Sequence, residues 1–175
     1  MHVTLKPLIT ADAPAFWQLA YGNEDAAWMQ WNGPYFHDEI PTRNQFLTTI
    51  APKKFIDQPD QRIIWVDTEM VGSVSYHYVD GDLRQWLEVG IVIYRQNKWQ
   101  QGVGKAALTQ WINQVWAQTS LPHLGLTTWS GNLRMCRLAE SIGWQEEGRI
   151  RKVRYWQGRY WDSVKYGCLR EDWRN

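Results

Sequence analysis

Two glycines one residue apart, Gly102 and Gly104, constrain this chain more than any other feature. Alternating apolar residues precede them in a strand-like run over residues 86–93, and from Val103 to about residue 118 apolar residues recur at helical spacing. A helix start of this kind presents free backbone N–H groups and the positive end of the helix dipole. Glycine also lets a ligand approach closely, because it has no Cβ. The segment predicts a phosphate site, although a plain turn without a ligand has the same pattern.

The composition predicts one soluble domain. A chain of 175 residues can bury one hydrophobic core, and 19 basic against 18 acidic residues give a net charge of +1, which argues against a general nucleic-acid binder. No apolar run reaches the roughly 20 residues that a membrane span needs. Cys136 and Cys168 are far apart and lack a metal-type spacing. We therefore expect a reduced, cytoplasmic protein without a disulfide or a bound metal.

Local patterns predict an α/β sheet of mixed direction with helices on both faces. Helices are expected at residues 13–20, 42–50, 103–118 and 132–142. Strands are expected at residues 2–8, 62–67, 71–79, 86–93, 124–128, 144–155 and 160–169. Short turns join the second, third and fourth strands, so these should form an antiparallel meander. The helix after Gly102 then makes a β-α-β crossover.

An aromatic-rich stretch without periodicity lies between the first two helices, over residues 28–37. Such a stretch is typical of the wall of a binding groove and also of a loop packed on the core. The chain holds 13 tryptophans, and we expect most of them to pack in the core or at an interface with the indole N–H bonded.

Three glycine signatures compete for residues 99–107. A P-loop requires glycine in place of Trp99 and serine or threonine in place of Ala106, so it does not fit. Residues 102–107 spell the dinucleotide pattern G-x-G-x-x-A. They follow a meander rather than a first strand, however, and no acid near residue 128 is placed to bind a ribose, so a dinucleotide site is not expected.

The third signature is the acyl-CoA loop R/Q-x-x-G-x-G/A of the GNAT N-acetyltransferases, which residues 99–104 resemble. The likeness is greatest to the RimJ/RimL-type branch, in which an aromatic residue often replaces the first Arg or Gln. Three more segments resemble that branch in order and spacing: residues 87–90, 132–144 and 158–164. The resemblance implies a single acyl-CoA N-acyltransferase domain over residues 1–175. It also implies a mostly antiparallel sheet of about seven strands and about four helices, with the fourth and fifth strands splayed apart.

The resemblance further implies that acetyl-CoA is the acyl donor. Backbone N–H groups of residues 101–105 would bind its pyrophosphate, and Asn132 would contact its arm. Lys105 would add charge near a phosphate, although a lysine in a first helical turn is commonly solvated. The cofactor-binding residues implied in this way are Trp99, Gln100, Gln101, Gly102, Val103, Gly104, Lys105 and Asn132.

Acetyl transfer by direct attack on the thioester needs a neutral amine, a base and a proton for the leaving thiolate. Glu88 occupies the family's acidic position and is the predicted base, with an exposed or salt-bridged carboxylate as the alternative. The family's usual donors are missing, because Ala139 stands at the tyrosine position and Met135 at the serine position. Cys136 is a candidate donor, with inert packing as its alternative and water or the backbone as substitutes.

The acceptor is expected to be a primary amine, either a protein N-terminal α-amine or a small-molecule amine. A lysine amine would cost roughly 4 kcal/mol more to deprotonate at pH 7 than an α-amine. The predicted acceptor-binding residues are in the aromatic stretch and the two acids after it: Trp31, Tyr35, Asp38 and Glu39. The sequence leaves open whether the protein forms a homodimer.

Two other functions stay open. A non-catalytic acyl-CoA-binding or regulatory module would explain the missing proton donors. A nucleic-acid or ribosome-associated binder would use the cations of the last hairpin, although these are more typical of a solvated strand surface. They are Arg149, Arg151, Lys152, Arg154 and Arg159.

Overall fold

A seven-stranded sheet organises the computed structural model, which describes residues 1–174. Its strands are β1 (Val3–Lys6), β2 (Gln61–Val66), β3 (Glu69–Tyr78), β4 (Leu87–Ile93), β5 (His123–Trp129), β6 (Gln145–Trp156) and β7 (Arg159–Leu169). They lie in the order β1-β2-β3-β4-β5-β7-β6. Every neighbouring pair is antiparallel except β4 and β5, which are parallel. The predicted fold class, the meander and the crossover are confirmed.

Four helical regions flank the sheet. They are α1 (Ala13–Tyr21), a composite region, α4 (Val103–Gln118) and α5 (Leu133–Ser141). The composite region consists of α2 (Arg43–Gln45), a π turn (Phe46–Ile50) and α3 (Ala51–Lys54). The prediction ended this region at residue 50, before Pro52. The π turn changes the hydrogen-bond spacing just where the proline lacks an N–H, so the helical path continues past it.

Hydrophobic side chains cover both faces of the sheet. On one face α4 packs through Leu108 and Trp111 against Leu87 of β4 and Leu124 of β5. On the other face Phe16 of α1 and Phe46 of the π turn form a second cluster with Ile63 of β2. Of the 13 tryptophans, Trp111, Trp116, Trp129 and Trp144 are buried. The expected hydrogen bond of the indole N–H is present at Trp111 and Trp129, whereas the N–H groups of Trp116 and Trp144 have no partner among the described residues. No helix in residues 1–174 has the length and apolar character needed to cross a membrane.

The parallel pair β4 and β5 is joined only at its beginning. Register pairs Leu87 with Leu124 and Glu88 with Gly125, and the ladder ends there within the described residues. The two strands then diverge, which confirms the predicted splay. Because β4 leads into the glycine loop, the gap between the strands opens towards the N-terminus of α4.

Candidate functional site

The loop between β4 and α4 has an unusual backbone that leaves space in front of it. Gly102 is the N-cap of α4 with φ 80°, and Gln100 before it also has a positive φ of 60°. A Cβ on Gly102 would meet no atom within 4 Å. The Trp99 indole Nε1 donates to the Ile93 carbonyl at 2.8 Å, which fixes the start of the loop to the end of β4. The free N–H groups of the first turn therefore border an accessible space that suits an anion.

A cavity of about 550 Å³ lies in front of this loop, a volume within the range of small-molecule sites. Its walls come from the open end of β4, the glycine loop, α5 and the aromatic stretch after α1. The lining residues are Trp28, Trp31, Asn32, Ile91, Val92, Ile93, Lys98, Trp99, Gln100, Gly102, Gly104, Lys105, Asn132, Arg134, Met135, Arg137, Leu138 and Ser141.

The charged side chains of the cavity are all cationic. They are Lys98, Lys105, Arg134 and Arg137, and no acid is among the lining residues of the described chain. Lys98 Nζ lies 3.1 Å from Glu69 Oε2, and Lys105 Nζ donates to a backbone carbonyl of α5 at 2.8 Å. This charge distribution favours an anionic ligand. Residues 1–174 contain no group of three or more His, Cys, Asp or Glu side chains placed to hold a metal ion.

The guanidinium of Arg134 is stacked between two indole rings of the cavity. Its Cζ lies 4.5 Å from the ring centroid of Trp31 and 4.2 Å from that of Trp99. The Trp31 carbonyl accepts hydrogen bonds from Trp129 Nε1 at 2.9 Å and Asn132 Nδ2 at 3.0 Å. The stack therefore joins the aromatic stretch, the glycine loop and α5 across the cavity.

Most of the predicted cofactor residues meet at this cavity. Those that line it are Trp99, Gln100, Gly102, Gly104, Lys105 and Asn132. The Gln101 side chain is exposed and donates to the Asn97 carbonyl at 2.6 Å. Gln101 therefore offers a ligand only its backbone N–H group. Val103 is buried in the core and likewise offers only its N–H group. Cofactor binding by these residues stays a prediction.

Asn132 uses its side chain within the protein. It is the N-cap of α5, and its Oδ1 accepts a hydrogen bond from Met135 N at 3.1 Å. Its Nδ2 donates to the Trp31 carbonyl. The residue therefore shapes the cavity wall through the helix start and the aromatic stretch.

Glu88 lies where β4 and β5 separate. Leu87 and Val89 belong to the cluster that packs against α4, so Glu88, between them, points to the opposite face of the sheet. It is buried, and its Oε1 accepts hydrogen bonds from Thr127 Oγ1 at 2.8 Å and Lys165 Nζ at 2.9 Å. The salt-bridged alternative is thus observed, Glu88 is not among the lining residues of the cavity, and the role of base stays a prediction.

Cys136 faces β7 rather than the cavity. Burial raises the pKa of its thiol, and the neighbouring Tyr166 hydroxyl offsets part of that increase. Met135 and Leu138, on another side of α5, line the cavity instead. Ala139, at the position of the family's tyrosine, is fully buried. This placement favours packing, and the role of proton donor stays a prediction.

The predicted acceptor residues are not brought to one place. Trp31 lines the cavity. Tyr35 instead packs edge-on against Trp129, with ring centroids 5.9 Å apart, and below the Arg154 guanidinium. Asp38 and Glu39 are exposed and are not among the lining residues of the cavity. The aromatic stretch is both a cavity wall and a packed loop, since Trp28 lines the cavity and also contacts Tyr94 edge-on at 5.1 Å.

Sequence reasoning missed the contribution of α5. The missed residues Arg134, Arg137, Leu138 and Ser141 all line the cavity. They recur at spacings of three and four, which marks one helical face, but the spacing does not show which face of α5 docks on the cavity. Lys165 and Thr127 around Glu88 were also missed, and they come from strands distant in the sequence.

Comparison with known proteins agrees with this geometry. The chain is 24% identical over 178 residues to the Bacillus subtilis (strain 168) protein named "Putative ribosomal N-acetyltransferase YdaF", covering 98% of this chain and 93% of the relative. A crystal structure of a "Probable acetyltransferase" matches with a TM-score of 0.79 and 23% identity, covering 98% of this chain and 95% of the other. The structure of yncA from Salmonella typhimurium with acetyl-CoA matches with a TM-score of 0.70 and 16% identity, covering 95% and 93%.

The family model described as "Acetyltransferase (GNAT) domain" matches residues 2–145. That match takes in the glycine loop, the splayed strands and the whole of α5. The chain therefore belongs to the GNAT acetyltransferase domain family.

Proposed function

We propose that this protein is an N-acetyltransferase that moves the acetyl group of acetyl-CoA to a primary amine by direct attack. The observation that carries the proposal is the cationic cavity in front of the glycine loop, lined by the end of β4 that diverges from β5. The similar yncA structure includes acetyl-CoA, which supports the same donor for this chain.

The residues of the cavity fit acetyl-CoA. The first-turn N–H groups of α4 and the open space at Gly102 suit a pyrophosphate, and the four lining cations supply opposite charge. Ile91, Ile93 and Leu138 give the cavity apolar surface for a pantetheine arm. A stack of Arg134 with Trp31 and Trp99 fixes the walls on either side.

Acetyl-CoA supplies an activated thioester, at which a C–N bond to the acceptor forms as the C–S bond to CoA breaks. Glu88 would take the proton of the attacking amine, directly or through a water. Holding the amine in line at the strand splay supplies much of the acceleration. The leaving thiolate needs only a weak donor, because a free thiol has a pKa of about 8.5. Water can fill that role, and Cys136 is the side-chain candidate.

For the acceptor we propose an N-terminal α-amine, as in the RimJ/RimL-type branch, with a small-molecule amine as the other class. The YdaF relative is named for ribosomal N-acetylation, which supports the first class. Asp38 and Glu39 would attract the cationic acceptor, and Trp31 and Tyr35 would contact it. Reversing both charges with Asp38→Lys and Glu39→Lys should raise the acceptor KM and leave the acetyl-CoA Kd unchanged. An unchanged acceptor KM would remove these residues from the site.

The test is release of CoA thiol from acetyl-CoA over a panel of N-terminal peptides and small amines, with binding of acetyl-CoA measured separately by calorimetry. We expect acceptor-dependent thiol release, and a loss of about 10²-fold or more in Glu88→Gln with acetyl-CoA binding retained. Binding without turnover for every acceptor would support the non-catalytic acyl-CoA-binding module instead. Absence of acetyl-CoA binding would contradict both.

A further inference from the structure

Lys165 of β7 contacts Glu88 of β4 and Thr127 of β5, near the point where these two strands diverge. Its Nζ lies 2.9 Å from Glu88 Oε1 and 2.9 Å from Thr127 Oγ1, and the Thr127 hydroxyl donates to the same Glu88 oxygen at 2.8 Å. The three side chains form a closed triangle around one carboxylate oxygen. The Glu88 side chain is 7% exposed and that of Lys165 32%, so the carboxylate is buried while the ammonium reaches solvent.

The second carboxylate oxygen of Glu88 is left available. Within residues 1–174, Oε2 accepts no hydrogen bond, and it is not among the buried atoms that lack a partner. One oxygen is thus anchored by two donors, and the other is open to a water or an amine. This is the arrangement a general base requires, since the group must be held in place and still accept a proton.

The other charged or titratable groups near Glu88 make no hydrogen bond to its carboxylate. His77 is opposite Glu88 in the β3–β4 register and is exposed. His123 and Glu147 form their own pair, with Nε2 and Oε2 2.7 Å apart, beside Gly125. Of the described cations, only Lys165 is bonded to the carboxylate.

We infer that Lys165 is a positioning residue that holds the Glu88 carboxylate in the orientation that removes the acceptor's proton. This inference rests on the proposed acetyltransferase function, in which Glu88 is the base. Without Lys165 Nζ, Glu88 Oε1 would keep only the Thr127 donor, and the carboxylate would no longer be held by two donors. Loss of Lys165 should therefore lower kcat and leave acetyl-CoA binding unchanged, because proton removal needs the base in a fixed geometry within hydrogen-bond reach.

The experiment compares kcat and the KM for acetyl-CoA in wild type, Lys165→Met and Lys165→Arg, using the best acceptor of the panel at about pH 9, where an α-amine is largely neutral. In Lys165→Met we expect kcat to fall about tenfold or more, with the KM for acetyl-CoA unchanged. Lys165→Arg restores a charged donor and should regain most of the wild-type kcat. Lys53→Met removes an exposed lysine at the end of α3 and should leave kcat unchanged.

The outcomes separate this inference from the proposed function. Wild type without turnover would overturn both. Wild-type kcat retained in Lys165→Met would overturn only the role of Lys165. If Lys165→Met does not fold, Lys165→Leu, which likewise lacks a donor, carries the same prediction. A rescue by arginine that restores stability but not kcat would also contradict the inference.

Discussion

The guanidinium carbon of Arg134 lies 4.2 Å from the centroid of the Trp99 ring. Trp99 occupies the first position of the acyl-CoA loop signature, where the wider family has Arg or Gln. In this chain the cation beside that position comes from α5 instead. The stacked pair thus places a planar positive charge at the edge of the glycine loop, where an anionic ligand would lie.

Arg134→Ala should weaken acetyl-CoA binding, because it removes one of the four cations of the cavity and the stack between Trp31 and Trp99. We expect the Kd to rise about tenfold, equivalent to about 1.4 kcal/mol. Calorimetric titration with acetyl-CoA measures the change. Arg151→Ala removes an exposed arginine of β6 outside the cavity and should leave the Kd unchanged. Equal affinities in the two variants would show that the Arg134 stack is structural only.

Gly102→Ala should lose acetyl-CoA affinity beyond any loss of stability. Gly143 is a matched control, because both glycines have positive φ, 80° and 83°, and neither Cβ would meet an atom within 4 Å. The backbone strain of alanine, about 1–2 kcal/mol, should therefore lower the Tm of both variants similarly. Of these two glycines, Gly102 lines the cavity and Gly143 does not, so only the methyl group of Gly102→Ala would occupy the proposed ligand's space. A Kd that rises equally in both variants would contradict a phosphate site at the loop.

The fold was largely predictable because each element has its own local periodicity. The strand β4 and the helix α4 were predicted to within one residue of their observed bounds from alternation and helical spacing alone. The composite helix was predicted to end at residue 50, whereas it continues through a π turn to Lys54, because helical periodicity does not foresee a change of hydrogen-bond spacing.

The site was predictable only where its residues are close together in the sequence. The glycine loop combines its signature and its ligand groups in a few residues. Lys165, by contrast, meets Glu88 across 77 positions of sequence, and only the pairing of β5 with β7 brings them together. Which face of α5 lines the cavity depends on how the helix docks, so Arg134 could not be distinguished from its neighbours by spacing alone.

Substitutions of Asn132 should separate the effect of helix capping on stability from the effect of cavity charge on acetyl-CoA binding. Asn132→Ala removes the acceptor for the Met135 N–H and should cost about 1 kcal/mol in the free energy of unfolding. Asn132→Asp keeps an acceptor at the N-cap but loses the donor to the Trp31 carbonyl and adds a negative charge to a cationic cavity. We therefore expect Asn132→Asp to be more stable than Asn132→Ala, because it keeps the cap, and to bind acetyl-CoA more weakly than wild type.

Thermal unfolding and calorimetry measure the two effects, and Asn132→Ser serves as an uncharged capping control. If Asn132→Asp binds acetyl-CoA as tightly as Asn132→Ser, charge at this wall of the cavity does not affect the ligand.

Cys136→Ala decides between proton donation and packing. A donor role predicts a fall in kcat of about 10²-fold or more with acetyl-CoA binding unchanged. Packing predicts a lower Tm with turnover retained, and the contact of Cys136 with Tyr166 on the β7 side of α5 supports this second result. Cys168→Ala is the matched control, because Cys168 is the other buried cysteine of the same cluster and burial also raises its pKa.

The raised pKa values of the Cys136 and Cys168 thiols can be tested independently by chemical labelling. A raised pKa lowers the thiolate fraction at a given pH, so both thiols should react with iodoacetamide at pH 8 more slowly in the native protein than in denaturant. Rapid native labelling that is confined to Cys136 and blocked by acetyl-CoA would contradict the packing role.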